Sequence, residues 1–90
     1  MIARQVFYEG RVQGVGFRFT VKSLARGFDV IGWVKNLEDG RVELQIKGER
    51  EEVEGLIEAI AESELKGHIK RSEVHTIAPF EGVRGFEIAH

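Results

Sequence analysis

Apolar residues follow two different periods along this chain of 90 residues. A period of two, typical of β-strands that bury one face, recurs in several short segments. A period near 3.6, typical of an α-helix with one apolar side, runs along two longer segments. The stripe of the first helix consists of Phe17, Val21, Leu24, Ala25 and Phe28. The pattern predicts strands over residues 5–12, 30–35, 41–47, 69–77 and 85–88, a helix that begins at residue 17, and a second helix over 49–62.

These elements follow one another in the order strand, helix, strand, strand, helix, strand, with a short strand at the end. Residues 38–40, Glu-Asp-Gly, join the second and third strands as a tight hairpin. This is the order of the ferredoxin-like βαββαβ sandwich, an α+β fold with two helices on one face of an antiparallel sheet. We expect a single domain over residues 1–90 with a short extra C-terminal strand. Because enzymes, RNA-binding domains and regulatory modules share this fold, it does not define a function.

The composition excludes several classes of function. The chain has no cysteine, which excludes disulfides, thiolate catalysis and cysteine-ligated metals and fits a cytoplasmic location. No apolar run approaches the length of a membrane span, and residues 1–4 lack the apolar segment of a signal peptide. The histidines His68, His75 and His90 are too dispersed to predict a zinc site. We expect neither a bound metal nor a membrane partner.

Charge is unevenly distributed along the chain, although the net charge is only −2. The first 36 residues hold six basic and two acidic side chains, a net charge of +4, so the remaining residues hold −6. A basic first third beside an acidic remainder indicates a local anion site and disfavours a general nucleic-acid surface. Chance clustering of surface charges explains the distribution equally well when it is taken alone.

The segment GRVQGVGFR at residues 10–18 places a glycine-containing loop between the first strand and the first helix. Unpaired backbone N–H groups at a helix N-terminus bind anions, and glycines let an anion approach the backbone. Arg18, in the first helical turn, is able to bond two phosphate oxygens at once. The alternative is a structural glycine turn followed by a surface arginine. Nucleotide binding is not expected, because the segment lacks the Lys-Ser/Thr ending of a P-loop and the third glycine of a dinucleotide fingerprint.

Three segments of the chain resemble the acylphosphatase family. GRVQGVGFR at 10–18 matches that family's GxVQGVxFR, GWVKN at 32–36 matches GWVxN, and GFEI at 85–88 is similar to its final strand. The resemblance implies hydrolysis of the carboxyl–phosphate bond of small acyl phosphates without a metal or other cofactor. It implies that Arg18 binds the phosphoryl group together with loop backbone N–H groups, and that Asn36 orients the attacking water. The loop residues concerned are Gln13, Gly14, Val15, Gly16 and Phe17.

Asn36 has a second interpretation, because an asparagine just before a hairpin turn often bonds the local backbone. Alternation places it on the same strand face as Val34, from which its side chain can point towards the loop. The next residue is Leu37, where many family members have a hydroxyl residue. If that hydroxyl supports the asparagine, the resemblance implies a less firmly held water and a lower rate, with the reaction class unchanged.

Two other functions are compatible with parts of the pattern. A similar segment forms a domain of the large hydrogenase-maturation carbamoyltransferases, so a non-catalytic module that binds an acyl or carbamoyl phosphate is the main alternative. An RNA-binding domain shares the element order, but residues 41–48, RVELQIKG, lack the aromatic residues that stack on bases. We expect a small acyl phosphate as the partner, no nucleic acid, and a monomer.

Overall fold

The elements occur in the predicted order. The computed structural model describes all residues from Met1 to His90. The strands are β1 Ile2–Gly10, β2 Val30–Asn36, β3 Val42–Gly48, β4 Ile69–Ile77 and β5 Phe86–Ala89; the helices are α1 Phe17–Ala25 and α2 Arg50–Glu62, and a short 3₁₀ helix spans Glu64–His68. The largest departure from the predicted bounds is in β1, which begins and ends earlier. Val12, predicted as the end of this strand, therefore belongs to the loop before α1.

One sheet contains all five strands, in the order β4-β1-β3-β2-β5. The first four strands along the chain pair antiparallel, and the ferredoxin-like α+β fold with its extra C-terminal strand is confirmed. β5 pairs parallel with β2, where Gly32 lies opposite Phe86, so the complete sheet is mixed. The period-two pattern of a strand does not specify its neighbour or its direction. This pairing puts the last residues of the chain beside β2, the strand that ends in Asn36.

Gly32 keeps three strands close together. A Cβ atom built on this residue would lie 1.9 Å from the carbonyl oxygen of Gln45 in β3, so a larger residue fits only if the strand moves. Its backbone N–H donates to the carbonyl of Gly85, just before β5, at 3.0 Å. The glycine of the GWVKN segment therefore has a structural role: it lets β2 lie close to β3 at Gln45.

The helices and the sheet share one apolar core. α1 contributes Phe17, Val21 and Ala25, and α2 contributes Val53, Leu56 and Ile60. Val34 and Leu44, on the neighbouring strands β2 and β3, are fully buried against them. Burial of one side chain of this size contributes about 1.5–3 kcal/mol to the free energy of unfolding. The core therefore holds the beginning of α1 firmly against the sheet.

Candidate active site

The loop between β1 and α1 contains a run of backbone N–H groups without a backbone acceptor. None of those from Gln13 to Phe19 donates to a backbone carbonyl, and the first helical bond runs from the Thr20 N–H to the Gly16 carbonyl at 3.0 Å. Gly14 and Gly16 have left-handed φ values of 78° and 75°, a conformation that costs other residues about 1–2 kcal/mol. The two glycines therefore permit a loop whose N–H groups are free to bind an anion.

A cavity of about 300 Å³ lies at this loop. It is lined by Val12, Gly14, Gly16, Phe17, Arg18, Phe19, Asn36, Ile88 and His90. The predicted residues Gly14, Gly16, Phe17, Arg18 and Asn36 are thus brought together, whereas Gln13 and Val15 are not among the lining residues. Its volume is at the lower end of the range for small-molecule sites.

Arg18 brings an unpaired positive charge to the cavity. Its Nη1 donates to the backbone carbonyl of Ala89 in β5 at 3.4 Å, and none of the ion pairs in the structure includes it. The first turn of α1 also has no acidic side chain. The guanidinium and the positive end of the helix dipole therefore act in the same direction, and both favour a bound anion.

Asn36 ends β2 on the strand face that it shares with Val34. The strand extends one residue beyond its predicted end, so the alternation continues through Asn36. Its Oδ1 is buried and accepts no hydrogen bond from the protein, although an unsatisfied buried acceptor costs about 1–3 kcal/mol. The second interpretation required Asn36 to bond the local backbone, and its side-chain oxygen makes no such bond. The Asn36 side chain lines the cavity, and its oxygen is an acceptor to which no protein group donates.

Gln13 connects the loop to the β2–β3 turn through its side chain. Its Nε2 donates to the carbonyls of Leu37 at 2.8 Å and Arg41 at 2.9 Å. The Leu37 N–H closes the turn by donating to the Arg41 carbonyl at 2.8 Å. These bonds hold the loop against the residues that follow Asn36. Leu37 contributes only backbone groups to this connection, and its expected effect on the rate stays a prediction.

Asp39 stabilises the same turn. Its carboxylate accepts hydrogen bonds from the backbone N–H of Arg41 at 3.1 Å and from the Arg41 Nε at 2.8 Å. The backbone bond first, and then the side-chain bond and the positive charge of Arg41, lower the pKa of Asp39. The Arg41 guanidinium also lies over the ring of Phe7, 4.5 Å from its centroid. The carbonyls that hold Gln13 therefore belong to a well-supported turn.

Phe17 packs its ring into the core while its backbone remains at the loop. The ring lies 5.2 Å from that of Tyr8, measured between centroids, and both residues are almost completely buried. Burial raises the pKa of the Tyr8 hydroxyl, which has no hydrogen-bond partner. Tyr8 is therefore neutral at physiological pH. The aromatic pair forms an apolar support under the first turn of α1.

Four cavity residues are missing from the sequence-based prediction: Val12, Phe19, Ile88 and His90. Phe19 did carry a signal, because it is an aromatic residue beside Arg18 and outside the apolar stripe of α1. Ile88 and His90 carried none. They reach the cavity only because β5 pairs with β2, and that pairing is a property of the tertiary structure.

Two further kinds of feature are absent from the structure. No group of three or more His, Cys, Asp or Glu side chains is placed to hold a metal ion. Neither helix is long and apolar enough to cross a lipid bilayer, since the longer one, α2, has 13 residues.

The fold and the cavity together define a small α+β protein with a cavity at the N-terminus of its first helix. The family model for acylphosphatase matches residues 4–88. An acylphosphatase from Haloarcula marismortui is 43% identical over 83 residues, which cover 92% of this chain and 90% of that protein. The crystal structure of an acylphosphatase from Bacillus subtilis, 33% identical, superposes over the full length of both chains with a TM-score of 0.89. The chain belongs to the acylphosphatase family, and like the family's members it is a hydrolase.

The same fold also occurs within a much longer protein. HypF from T. kodakarensis is 33% identical and superposes with a TM-score of 0.85. The match covers all of this chain but only 12% of HypF. A domain of this shape therefore exists both by itself and as a small part of a larger protein.

Proposed function

We propose that this chain hydrolyses the carboxyl–phosphate bond of small acyl phosphates and releases a carboxylate and inorganic phosphate. One observation carries the proposal: one cavity is lined by loop residues whose N–H groups have no backbone acceptor, by Arg18 and by Asn36. The first two supply donors for a phosphoryl group, and the third supplies an acceptor for a water hydrogen. Membership of the acylphosphatase family supports the same reaction.

The phosphoryl group is bound by Arg18 and by the loop backbone. The guanidinium takes two phosphoryl oxygens, and loop N–H groups take the remaining lone pairs. These are the N–H groups of Gly14, Gly16 and Phe17, which line the cavity, and those of Gln13 and Val15, which adjoin the lining residues in the same loop. Each charge-assisted contact is worth about 1.5–3 kcal/mol net. Because these donors are held by the core and by the Gln13 bonds to the turn, they need little reorganisation when charge develops on the phosphoryl oxygens.

Asn36 orients the attacking water. Its buried Oδ1 accepts one hydrogen of the water, whose oxygen is then directed at phosphorus opposite the acyl oxygen. A new P–O bond forms from the water, and the P–O bond to the acyl group breaks with its electron pair on the leaving carboxylate. The water proton passes to a phosphoryl oxygen, so the products are a carboxylate and dihydrogen phosphate.

This mechanism needs no side-chain nucleophile and no strong base. A carboxylate is a good leaving group, so positioning and charge stabilisation provide most of the required acceleration. Tyr8, whose ring packs against that of Phe17, is kept neutral by burial and takes no part in proton transfer. We also propose that no cofactor is used.

A non-catalytic module that binds acyl or carbamoyl phosphate is the second candidate. The superposition on a small part of HypF supports it, because that domain is one element of a longer chain. Binding and catalysis use the same phosphate contacts, so turnover is the property that separates them.

The protein is further proposed to act as a cytoplasmic monomer, with a small acyl phosphate as its partner and no nucleic acid. Arg18, Asn36 and the loop that line the cavity all belong to one chain, which supports a site formed within a monomer. Light scattering at micromolar concentration is expected to give the mass of one chain, 10.2 kDa.

The decisive experiment is hydrolysis of benzoyl phosphate by the purified protein in the presence of EDTA. We expect chelator-resistant turnover, and a loss of about 10²–10³-fold in kcat for Arg18→Ala because one transition-state donor is removed. Asn36→Ala is expected to lower kcat while the inhibition constant of inorganic phosphate changes less than about twofold, since the phosphate donors remain.

Arg26→Ala is the matched control, because Arg26 is an exposed arginine at the opposite end of α1. It is expected to retain wild-type turnover. Folded wild-type protein that binds inorganic phosphate without hydrolysing benzoyl phosphate would favour the binding module. Equal losses of turnover and phosphate binding in Asn36→Ala would contradict the water-orienting role.

A further inference from the structure

Phe19 is an aromatic residue at the site with no role in the core. It is 70% exposed, in contrast to Phe17 two residues earlier, which is 2% exposed. Successive helical residues are rotated by about 100°, so Phe19 lies on the side of α1 away from the buried stripe. A single exposed apolar side chain is ordinary on a protein surface. This one differs from the others because it also lines the cavity that contains Arg18 and Asn36.

The cavity offers two kinds of surface to a ligand. The loop glycines, Arg18 and Asn36 present hydrogen-bonding groups, which match the phosphoryl end of an acyl phosphate. Phe19 and Ile88 present hydrocarbon, which forms no hydrogen bond with a phosphoryl group or with the attacking water. The substrate of the proposed reaction has a second part, the acyl group, and it needs a surface of this second kind when it is apolar.

We propose that Phe19 is a specificity-determining residue that contacts the acyl group and favours aromatic and larger aliphatic acyl phosphates. The proposal rests on the proposed hydrolase function and adds a substrate class to it. Phe19 directly follows Arg18 in the first turn of α1. A substrate whose phosphoryl group is held by Arg18 and the loop therefore has its acyl group within reach of the neighbouring ring.

Small or polar acyl groups gain little from this contact. The methyl group of acetyl phosphate covers only a small part of the ring, so it removes little apolar surface from water. The amino group of carbamoyl phosphate would lose hydrogen bonds to water against a hydrocarbon surface and regain none. A phenyl group instead stacks on the ring or meets it edge to face. Benzoyl phosphate should therefore be preferred over both.

The test compares kcat/KM for benzoyl phosphate and acetyl phosphate in the wild type, Phe19→Ala and Phe19→Leu. We expect the benzoyl-to-acetyl ratio to fall about tenfold in Phe19→Ala, as is usual when one apolar contact is lost. In Phe19→Leu, which keeps part of the apolar surface, the ratio should fall less. Competitive inhibition by inorganic phosphate should stay within twofold in both variants, because the phosphoryl contacts are unchanged.

Val74→Ala is the matched control, because Val74 is 51% exposed and lies on β4, outside this cavity. Its benzoyl-to-acetyl ratio should equal that of the wild type. An unchanged ratio in Phe19→Ala would overturn the assignment, and so would equal losses for both substrates. A wild type that hydrolyses neither substrate would overturn the proposed function itself, which distinguishes the two failures.

Discussion

The two helices of this protein begin in opposite ways. The second and third residues of α2 are Glu51 and Glu52, whereas Arg18 and Phe19 occupy the same two positions of α1. Acidic side chains stabilise a helix N-terminus and basic ones destabilise it, each by about 0.3–1 kcal/mol. α2 therefore compensates its own positive end with its sequence. In α1, Arg18 instead adds a positive charge to a helix end that is already positive.

The difference separates a helix end that serves stability from one that is available for binding. At α2, the Glu52 carboxylate also accepts a hydrogen bond from the backbone N–H of Asp29 at 2.7 Å, which connects the helix to the residue before β2. At α1, the loop N–H groups have no backbone acceptor and Arg18 has no acidic partner. Sites that violate local rules of stability in this way are commonly functional, and packing elsewhere offsets their cost.

The largest expected effect comes from giving α1 the charge pattern of α2 with Arg18→Glu. The carboxylate would repel a phosphoryl group, so we expect kcat/KM for benzoyl phosphate to fall by at least about 10³-fold. Because an acidic residue suits this position of a helix, the free energy of unfolding should rise by about 0.3–1 kcal/mol. Urea denaturation in phosphate-free buffer measures this change in the free energy of unfolding. A lower stability in that experiment would mean that the lost Arg18 bond to the Ala89 carbonyl outweighs the relief of charge at the helix end.

A smaller effect, on stability and on phosphate binding, is expected from substituting Gly16, the residue that precedes α1. Gly16 has a left-handed conformation, and a Cβ atom there would meet no neighbour, so Gly16→Ala tests the backbone conformation alone. We expect a loss of about 1–2 kcal/mol in stability, together with weaker inhibition by inorganic phosphate because the loop shifts. Gly67→Ala is the matched control, since Gly67 has equal space and no positive φ. Equal stability changes in the two variants would contradict this account of the loop.

The smallest expected effect lies at α2. The double substitution Glu51→Gln and Glu52→Gln removes the compensating charge and keeps an acceptor for the Asp29 N–H. We expect the free energy of unfolding to fall by about 1 kcal/mol at low salt and by less at high salt, with unchanged hydrolysis of benzoyl phosphate. The control is Glu58→Gln, an exposed position in the middle of the same helix. A loss of activity in the double variant would show that the two helix ends are not independent.

Most of the fold was predictable because its elements carry local patterns. The apolar stripe beginning at Phe17 identified α1, and the alternation over residues 41–47 identified β3. The end of β1 was predicted too late, because Val12 continues the apolar alternation although the pairing of β1 with β4 becomes irregular between Glu9 and Gly10. The parallel pairing of β5 was not predictable, because partner and direction depend on contacts between distant parts of the chain.

The candidate site was predictable in part. Arg18 and Asn36 were found because each belongs to a short segment that resembles the family's signatures, and the structure brings both to one cavity. Gln13 was expected to contribute its backbone to the site. The structure adds a role for its side chain, which bonds the carbonyls of Leu37 and Arg41. No local pattern reveals such a bond, because its acceptors lie more than twenty positions away along the chain.

By itself, the amino-acid sequence determined the types and order of the elements, the glycines that free the loop N–H groups, and the identity of the charged and amide side chains. These properties follow from neighbouring residues, whose period, charge and conformational freedom act over a few positions. The tertiary structure alone decided that β5 lies beside β2, that Ala89 accepts a hydrogen bond from Arg18, and that Ile88 and His90 complete the cavity. These contacts depend on how the strands and helices pack their apolar faces together. The free energy of that packing comes from residues distant along the chain, so no local segment determines it.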